Sequence, residues 1–198
     1  MLKTCYMNGV LEAGCDEAGR GCLAGPVFAA AVILNDNIII ENLDDSKKLS
    51  EKVRNKLKAE IEEKSLAWAV CKVDNVEIDR INILNASILA MFKALDNLNI
   101  IPQHIIVDGN RFKKYNDIPH KCIVRGDAQY ASIAAASILA KTHRDEYMQK
   151  IHNEFPQYGW YKNKGYPTKF HREAIYKFGI SPYHRRSFNI YNQLRIEF

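Results

Sequence analysis

The chain has 198 residues, of which 47% are hydrophobic and 26% charged, with only 10 Gly and 6 Pro. This is ample material for a core and excludes collagen-like and disordered classes, and no run approaches the eighteen apolar residues of a membrane-spanning helix. The net charge of +5 is unevenly spread: residues 1–100 carry 12 basic and 15 acidic side chains, whereas residues 101–198 carry 16 and 8 together with all six His, an asymmetry that suits a polyanionic partner.

In chain order, two apolar runs rich in Ala, Val and Ile, at residues 10–15 and 27–34, flank a Gly-rich turn and predict adjacent strands. A charged periodic stretch over residues 50–64 predicts an amphipathic helix with Ser46 or Ser50 as N-cap. Residues 67–73 alternate as a strand does. Ile81, Leu84, Ile88, Met91, Phe92 and Leu95 recur at helical spacing and predict one helix over residues 79–98. Short strands follow at residues 104–107, ending in Asp108-Gly109-Asn110, and at residues 121–124. The run Ser-Ile-Ala-Ala-Ala-Ser-Ile-Leu-Ala marks a helix over residues 128–152, with small side chains suited to close packing on a sheet. From residue 157 the chain is aromatic and basic, with a last helix at residues 168–178. The order predicts an α/β sheet with a C-terminal helical extension, organised as a single catalytic domain whose core is about 1–155 and whose extension is about 156–198. No apolar leader precedes the first strand, and the five cysteines form no C-x-x-C pair, so the expectation is a cytoplasmic protein with reduced thiols.

Four acids stand where burial is costly. Asp16 and Glu17 close the first strand, Asp108 closes His-Ile-Ile-Val, and Asp127 precedes the Ala-rich helix. Each alone has an ordinary structural reading: a solvated strand end, an Asp-Gly turn, an N-cap. Together they favour a divalent cation, because clustered carboxylates repel one another and lose hydration unless a positive charge offsets both costs. Hard oxygen donors select Mg²⁺ or Mn²⁺ over zinc. Asp145 is too far along the helix to join them and pairs naturally with Lys141 at i−4.

The segment Gly14-Cys15-Asp16-Glu17-Ala18-Gly19-Arg20-Gly21-Cys22-Leu23-Ala24-Gly25-Pro26 is the most informative. Its glycines let backbone N–H groups approach a ligand, and Arg20 can hold a phosphate bidentately. It matches neither the P-loop nor the dinucleotide-binding pattern.

These residues resemble the signature of ribonuclease HII. The resemblance continues through Asp45-Ser46-Lys47-Lys48-Leu49-Ser50, Ile78 to Leu84, Val107-Asp108-Gly109-Asn110, Arg125-Gly126-Asp127-Ala128, Ser132 to Lys141, Lys164-Gly165-Tyr166-Pro167-Thr168 and His184-Arg185-Arg186-Ser187-Phe188. It thus covers nearly the whole chain. It implies a ribonuclease H-like mixed sheet flanked by helices, and an endonuclease acting on RNA/DNA hybrids and on ribonucleotides embedded in duplex DNA. It also implies Asp16, Glu17, Asp108 and Asp127 as catalytic acids holding two Mg²⁺ or Mn²⁺ ions. Gly19, Arg20 and Gly21 would read the ribose 2′-OH, and Tyr166 would stack on the following deoxyribose, with Lys47, Lys164 and Arg186 as further substrate-binding residues. Arg125, His143 and Gln129-Tyr130 depart from common family residues without touching a carboxylate. A monomer with no membrane association is expected.

The stretch 162–186 carries seven basic residues against Glu173 alone, interleaved with aromatics, and predicts a phosphate-tracking surface. Two other classes compete: a nucleic-acid binding module without catalysis, which intact acids disfavour, and another carboxylate-metal hydrolase, which needs neither Gly-Arg-Gly nor Tyr166. The C-terminal Gln193 to Phe198 is too short and weak to indicate a sliding-clamp peptide.

Overall fold

A computed structural model describes residues 2–35, 40–43 and 49–189. Lys47, most of the Asp45–Ser50 motif and the C-terminal Gln193 to Phe198 lie outside the described residues.

The first apolar run forms β1 (Glu12–Ala18) and the second forms β2 (Val27–Ile33), paired antiparallel. They are joined by β3 (Ala67–Val73), β4 (His104–Asp108) and β5 (His120–Ile123) in a five-stranded sheet of order β3-β2-β1-β4-β5. The β2–β3 pair is antiparallel, while β1–β4 and β4–β5 are parallel. Every residue of β2 is buried, which requires cover on both faces.

Strand alternation distributes that cover. Val27, Ala29, Ala31 and Ile33 pack with Ala13, Cys15, Ile105 and Val107 against α3 (Ile83–Asp96). Ala30 and Val32 pack against α1 (Glu51–Lys64) and α4 (Ala131–Glu154) on the other face. The small residues of α4 allow close approach: a Cβ on Gly14 would run into the backbone of Ser132 and Ile133.

Ser50 caps α1, its Oγ accepting from Val53 N. The single helix predicted over 79–98 is two: α2 (Asn75–Ile81), capped by Asp74, and α3, with a break at Asn82. Asn82 has φ +66° and its side chain accepts from Asn85 N, starting a new helix although the apolar period runs straight through it.

The extension adds a short α5 (Trp160–Asn163) and α6 (Lys169–Phe178), the latter capped by Thr168. Trp160, Tyr158, Ala174 and Ile175 pack with Met148 and Ile151 of α4 and with Leu23 and Ala24 of the Gly-rich loop. The extension is therefore docked on that loop and on the far half of α4.

Candidate active site

The backbone extends one prediction about the acids and corrects another. Asp16 and Glu17 belong to the closing residues of β1, which is longer than predicted and runs one residue further to Ala18. Asp127 is not the cap of α4: it sits in a 3-10 turn (Gly126–Ala128), and Tyr130 occupies the N-cap without a side-chain bond.

Alternation sends Asp16 and Glu17 to opposite faces of the sheet. Asp16 is buried on the α4 side, where the Ser137 hydroxyl hydrogen-bonds to it. Glu17 opens on the α3 side into a cleft lined by Leu84, Ile88, Met91, Asp108, Asn110 and Arg111. Parallel pairing sets Cys15 opposite Val107, so the next residue of each strand, Asp16 and Asp108, emerge side by side. Asp108 Oδ1 accepts from Gly126 N at 2.7 Å, which draws the 3-10 turn, and the buried Asp127 within it, to the same strand ends.

Burial, and after it the charges of Glu17 and Asp108, push the Asp16 carboxyl well above the usual carboxylate range. Hydrogen bonds from Ser137 and the Glu17 N–H oppose that shift without cancelling it. Among the described residues no three carboxylate, imidazole or thiol groups already converge tightly enough to grip an ion. The donor set nevertheless fits a hard divalent cation: crowded carboxylate oxygens, one of them desolvated, are stabilised by positive charge.

Beside the acids, the Gly19–Gly21 loop is held from behind by two buried arginines. Arg144 of α4 donates Nε to Pro26 O at 3.1 Å, Nη1 to Lys164 O at 2.8 Å and Nη2 to Ala24 O at 3.2 Å. Arg185 donates Nε to Gly25 O at 2.9 Å, Nη1 to Arg20 O at 2.9 Å and Nη2 to Gly19 O at 2.7 Å. The two guanidiniums together donate to six carbonyls of residues that lie outside the named strands and helices. Main-chain bonds complete the brace, from Leu23 N to Gly165 O, Gly25 N to Tyr183 O and Arg185 N to Leu23 O.

The two glycines of this loop differ in kind. Gly19 has φ +94°, and a Cβ there would strike Arg144. Gly21 is exposed, and a Cβ on it would meet nothing within 4 Å. Arg20 is exposed between them, with Nη1 3.1 Å from Glu17 Oε1.

Tyr166 remains 40% exposed. Its hydroxyl lies against the buried Cys22 thiol, and the Arg144 guanidinium sits 5.9 Å from its ring centroid. Burial, and next the Cys22 side chain, raise its phenol above the ordinary value.

The basic stretch 162–186 divides. Lys162, Lys169, Lys177 and Arg186 are exposed and Arg172 is half-buried. Arg185 and Lys164 are buried, Arg185 to clamp the loop and Lys164 with an Nζ that meets no hydrogen-bond partner among the described residues. The stretch is thus part surface and part scaffold. Sequence reasoning does not identify Arg144 and Arg185 as the braces of the Gly-rich loop. Arg185 reads as one more surface charge, and Arg144 stands beside Asp145, which as expected pairs with Lys141 and also approaches Arg54.

A family model described as ribonuclease HII matches residues 13–191. The ribonuclease HII of Bacteroides thetaiotaomicron is 59% identical over 196 residues, covering 98% of this chain and 98% of that protein. The ribonuclease HII of Bacteroides fragilis (strain ATCC 25285) is 61% identical over 197 residues, covering 100% and 98%. Among solved structures, the ribonuclease H2 from Pyrococcus horikoshii OT3 superimposes with a TM-score of 0.75 at 28% identity, covering 90% of this chain and 94% of that one.

Proposed function

This chain belongs to the ribonuclease HII family and is a ribonuclease H-type endonuclease, and from that premise we propose that it cuts the RNA strand of RNA/DNA hybrids and nicks duplex DNA on the 5′ side of a single embedded ribonucleotide. The products carry 3′-OH and 5′-phosphate ends, and the cellular task is removal of misincorporated ribonucleotides and RNA primers in the cytoplasm. The unit that does this is a monomer whose C-terminal extension contributes to substrate binding.

The observation that carries this reading is the convergence of Asp16, Glu17 and Asp108 at the strand ends directly beside an exposed Arg20 and an open Gly21. Asp16, Glu17, Asp108 and Asp127 would hold two Mg²⁺ or Mn²⁺ ions, which supply an activated water and charge stabilisation for the leaving 3′-oxygen. The chain's own residues do the rest. Arg20 can fork onto a phosphate once it leaves Glu17, because a guanidinium matches two phosphate oxygens at once. Gly21 leaves room for a ribose to approach backbone groups closely enough to sense its 2′-OH, the one atom that separates RNA from DNA. Tyr166, its hydroxyl engaged and much of the residue exposed, can lie against the next sugar, where a second 2′-OH would crowd it. Lys162, Lys169, Lys177 and Arg186 offer exposed charge for phosphates further along the duplex, and the partnerless ammonium of Lys164 is suited to an anion that reaches it.

The test is nicking of duplex DNA carrying one ribonucleotide, with Mg²⁺ or Mn²⁺ and with chelator, alongside all-DNA and all-RNA duplexes. Ion-dependent cleavage 5′ of the ribonucleotide, with both controls intact, is the expected result. Cleavage of the all-DNA duplex, or undiminished cleavage in chelator, would overturn it.

A further inference from the structure

Behind Tyr166 lies a buried polar chain that the chemistry above does not use. Trp160 is fully buried, as is His171, and His184 is 1% exposed. Trp160 Nε1 donates to His171 Nε2 at 2.9 Å. On its other side His171 Nδ1 lies 2.9 Å from the carbonyl oxygen of Tyr166. His184 Nε2 lies 3.2 Å from His171 Nε2, and Ser181 N donates to His184 Nδ1 at 2.8 Å.

The partners fix both tautomers. An indole N–H can only donate and a carbonyl can only accept, so His171 carries its proton on Nδ1 and receives at Nε2. A backbone N–H can only donate, so His184 receives at Nδ1 and carries its proton on Nε2, aimed at His171. Both imidazoles are then neutral, and the single lone pair of His171 Nε2 is shared by the Trp160 indole N–H and, at the longer distance, by the His184 Nε2–H. Burial lowers both imidazoles, His184 to about 4, in keeping with that state. A buried hydrogen-bonded network of this kind rigidifies its surroundings.

What it rigidifies is specific. His171 stands in the first turn of α6 and reaches back five residues to the Tyr166 carbonyl, which also accepts from Thr168 N at 2.8 Å. Tyr166 N donates in turn to Asn163 O. The backbone of Tyr166 is therefore held by α6 on one side and by α5 on the other, while its ring is left to face solvent beside the Gly-rich loop.

We propose that His171, with its tautomer set by Trp160 and His184, is a positioning residue for Tyr166, and that through it the protein prefers a ribonucleotide followed by DNA over a continuous RNA strand. This rests on the reading that Tyr166 contacts the sugar after the ribonucleotide. The donor that matters is the Nδ1–H of His171, and two substitutions separate it from its neighbour. Asparagine can place an N–H where Nδ1 stands, while glutamine keeps a polar atom near Nε2 and none at Nδ1.

The experiment compares H171N, H171Q and Y166A with the unaltered protein. It measures kcat/KM on duplex DNA with one ribonucleotide, divided by kcat/KM on a continuous hybrid, with a melting curve for each variant. H171Q is expected to lower that ratio about tenfold, the equivalent of one lost hydrogen bond of about 1.4 kcal/mol. H171N should stay within about threefold of the unaltered protein, although both variants melt earlier. If Y166A leaves the ratio unchanged, the role of Tyr166 itself is wrong. If Y166A collapses the ratio and H171Q does not, or if H171N and H171Q lower it equally, the positioning role is overturned. Imidazole ¹⁵N shifts of the unaltered protein give a test that survives misfolding of the variants: a proton on Nδ1 of His171 and on Nε2 of His184 near neutral pH is expected, and the opposite tautomer at His171 overturns the proposal.

Discussion

Gly19 and Gly21 are two residues apart in one loop, yet alanine at each should fail in a different way. At Gly19 an L side chain must adopt φ +94° and its Cβ meets the Arg144 guanidinium. The backbone strain costs about 1–3 kcal/mol. Displacing Arg144 also threatens its bonds to Pro26 O, Lys164 O and Ala24 O, at about 1 kcal/mol each. The sum, about 4–6 kcal/mol, corresponds to a melting point lower by on the order of 10–20 °C for a chain of this length. At Gly21 the backbone lies outside the left-handed region and an added Cβ touches nothing. Stability should change by less than about 0.5 kcal/mol, as for other open surface sites. The methyl group instead projects toward the space assigned to the ribose, and a displacement of about 1 Å at a reacting centre costs up to about 100-fold in rate. Thermal melts paired with single-turnover nicking, at a temperature where both variants are folded, separate the two effects. Gly21→Ala melting with the unaltered protein but cleaving about 10–100-fold more slowly is expected. Unaltered cleavage by that variant, or an unshifted melting point for Gly19→Ala, would refute the division of labour.

Asp108→Asn should reduce cleavage at least about 1,000-fold while hybrid affinity in a filter-binding assay changes little, and residual turnover near the unaltered rate would remove Asp108 from the catalytic set. Arg185→Met takes the guanidinium donors from the carbonyls of Gly19, Arg20 and Gly25, so denaturant titration should show a loss of about 3 kcal/mol, about 1 kcal/mol for each bond. Arg185→Lys, with a single ammonium, should restore only part of it. Because the Asp16 carboxyl is raised, Mn²⁺ or Mg²⁺ must displace its proton as pH falls toward that range; calorimetry in buffers of different ionisation enthalpy should show weaker binding and proton release at acid pH, both reduced in Asp16→Asn. His184 is held down to about 4 from 6.5. Its unfolded form therefore binds the proton first, and the stability it contributes is complete above about pH 6.5 and lost as pH falls through 4, by about 3 kcal/mol in all. An NMR titration showing His184 protonated near pH 6 would contradict this.

β1, β2 and β4 were legible as short apolar runs between turn residues and β3 by its alternation, and Ser50 announced its helix through the hydroxyl that caps it. The break between α2 and α3 was not, because Ile81, Leu84 and Ile88 keep the helical period across Asn82, whose own backbone and side chain make the interruption. The four acids could be picked out one by one, but the meeting of Asp16 with Asp108 depends on a parallel pairing between strands some ninety residues apart in sequence. Asp127 was misplaced as a helix cap because an Asp ahead of an Ala-rich run usually is one; here Asp108 takes the Gly126 N–H and pulls the turn toward itself. The deepest gap concerns charge. Arg144, Arg185 and Lys164 look like solvated residues in the sequence, and only the carbonyl-lined interior of a loop with no regular structure explains why two guanidiniums are buried there.

Arg185 holds Gly19 across a separation of 166 residues. During synthesis the sheet strands and α4 precede residue 185, and until it arrives the Gly-rich loop lacks three of the six guanidinium bonds that its bracing uses. Contacts of such long sequence separation form late, since their loop closure must be met before they stabilise anything. The sheet framework can therefore form before this loop is braced. Pulse-labelled hydrogen exchange during refolding should find the amides of Leu23 and Gly25, which are tied to Gly165 and Tyr183, protected after those of β1 and β2.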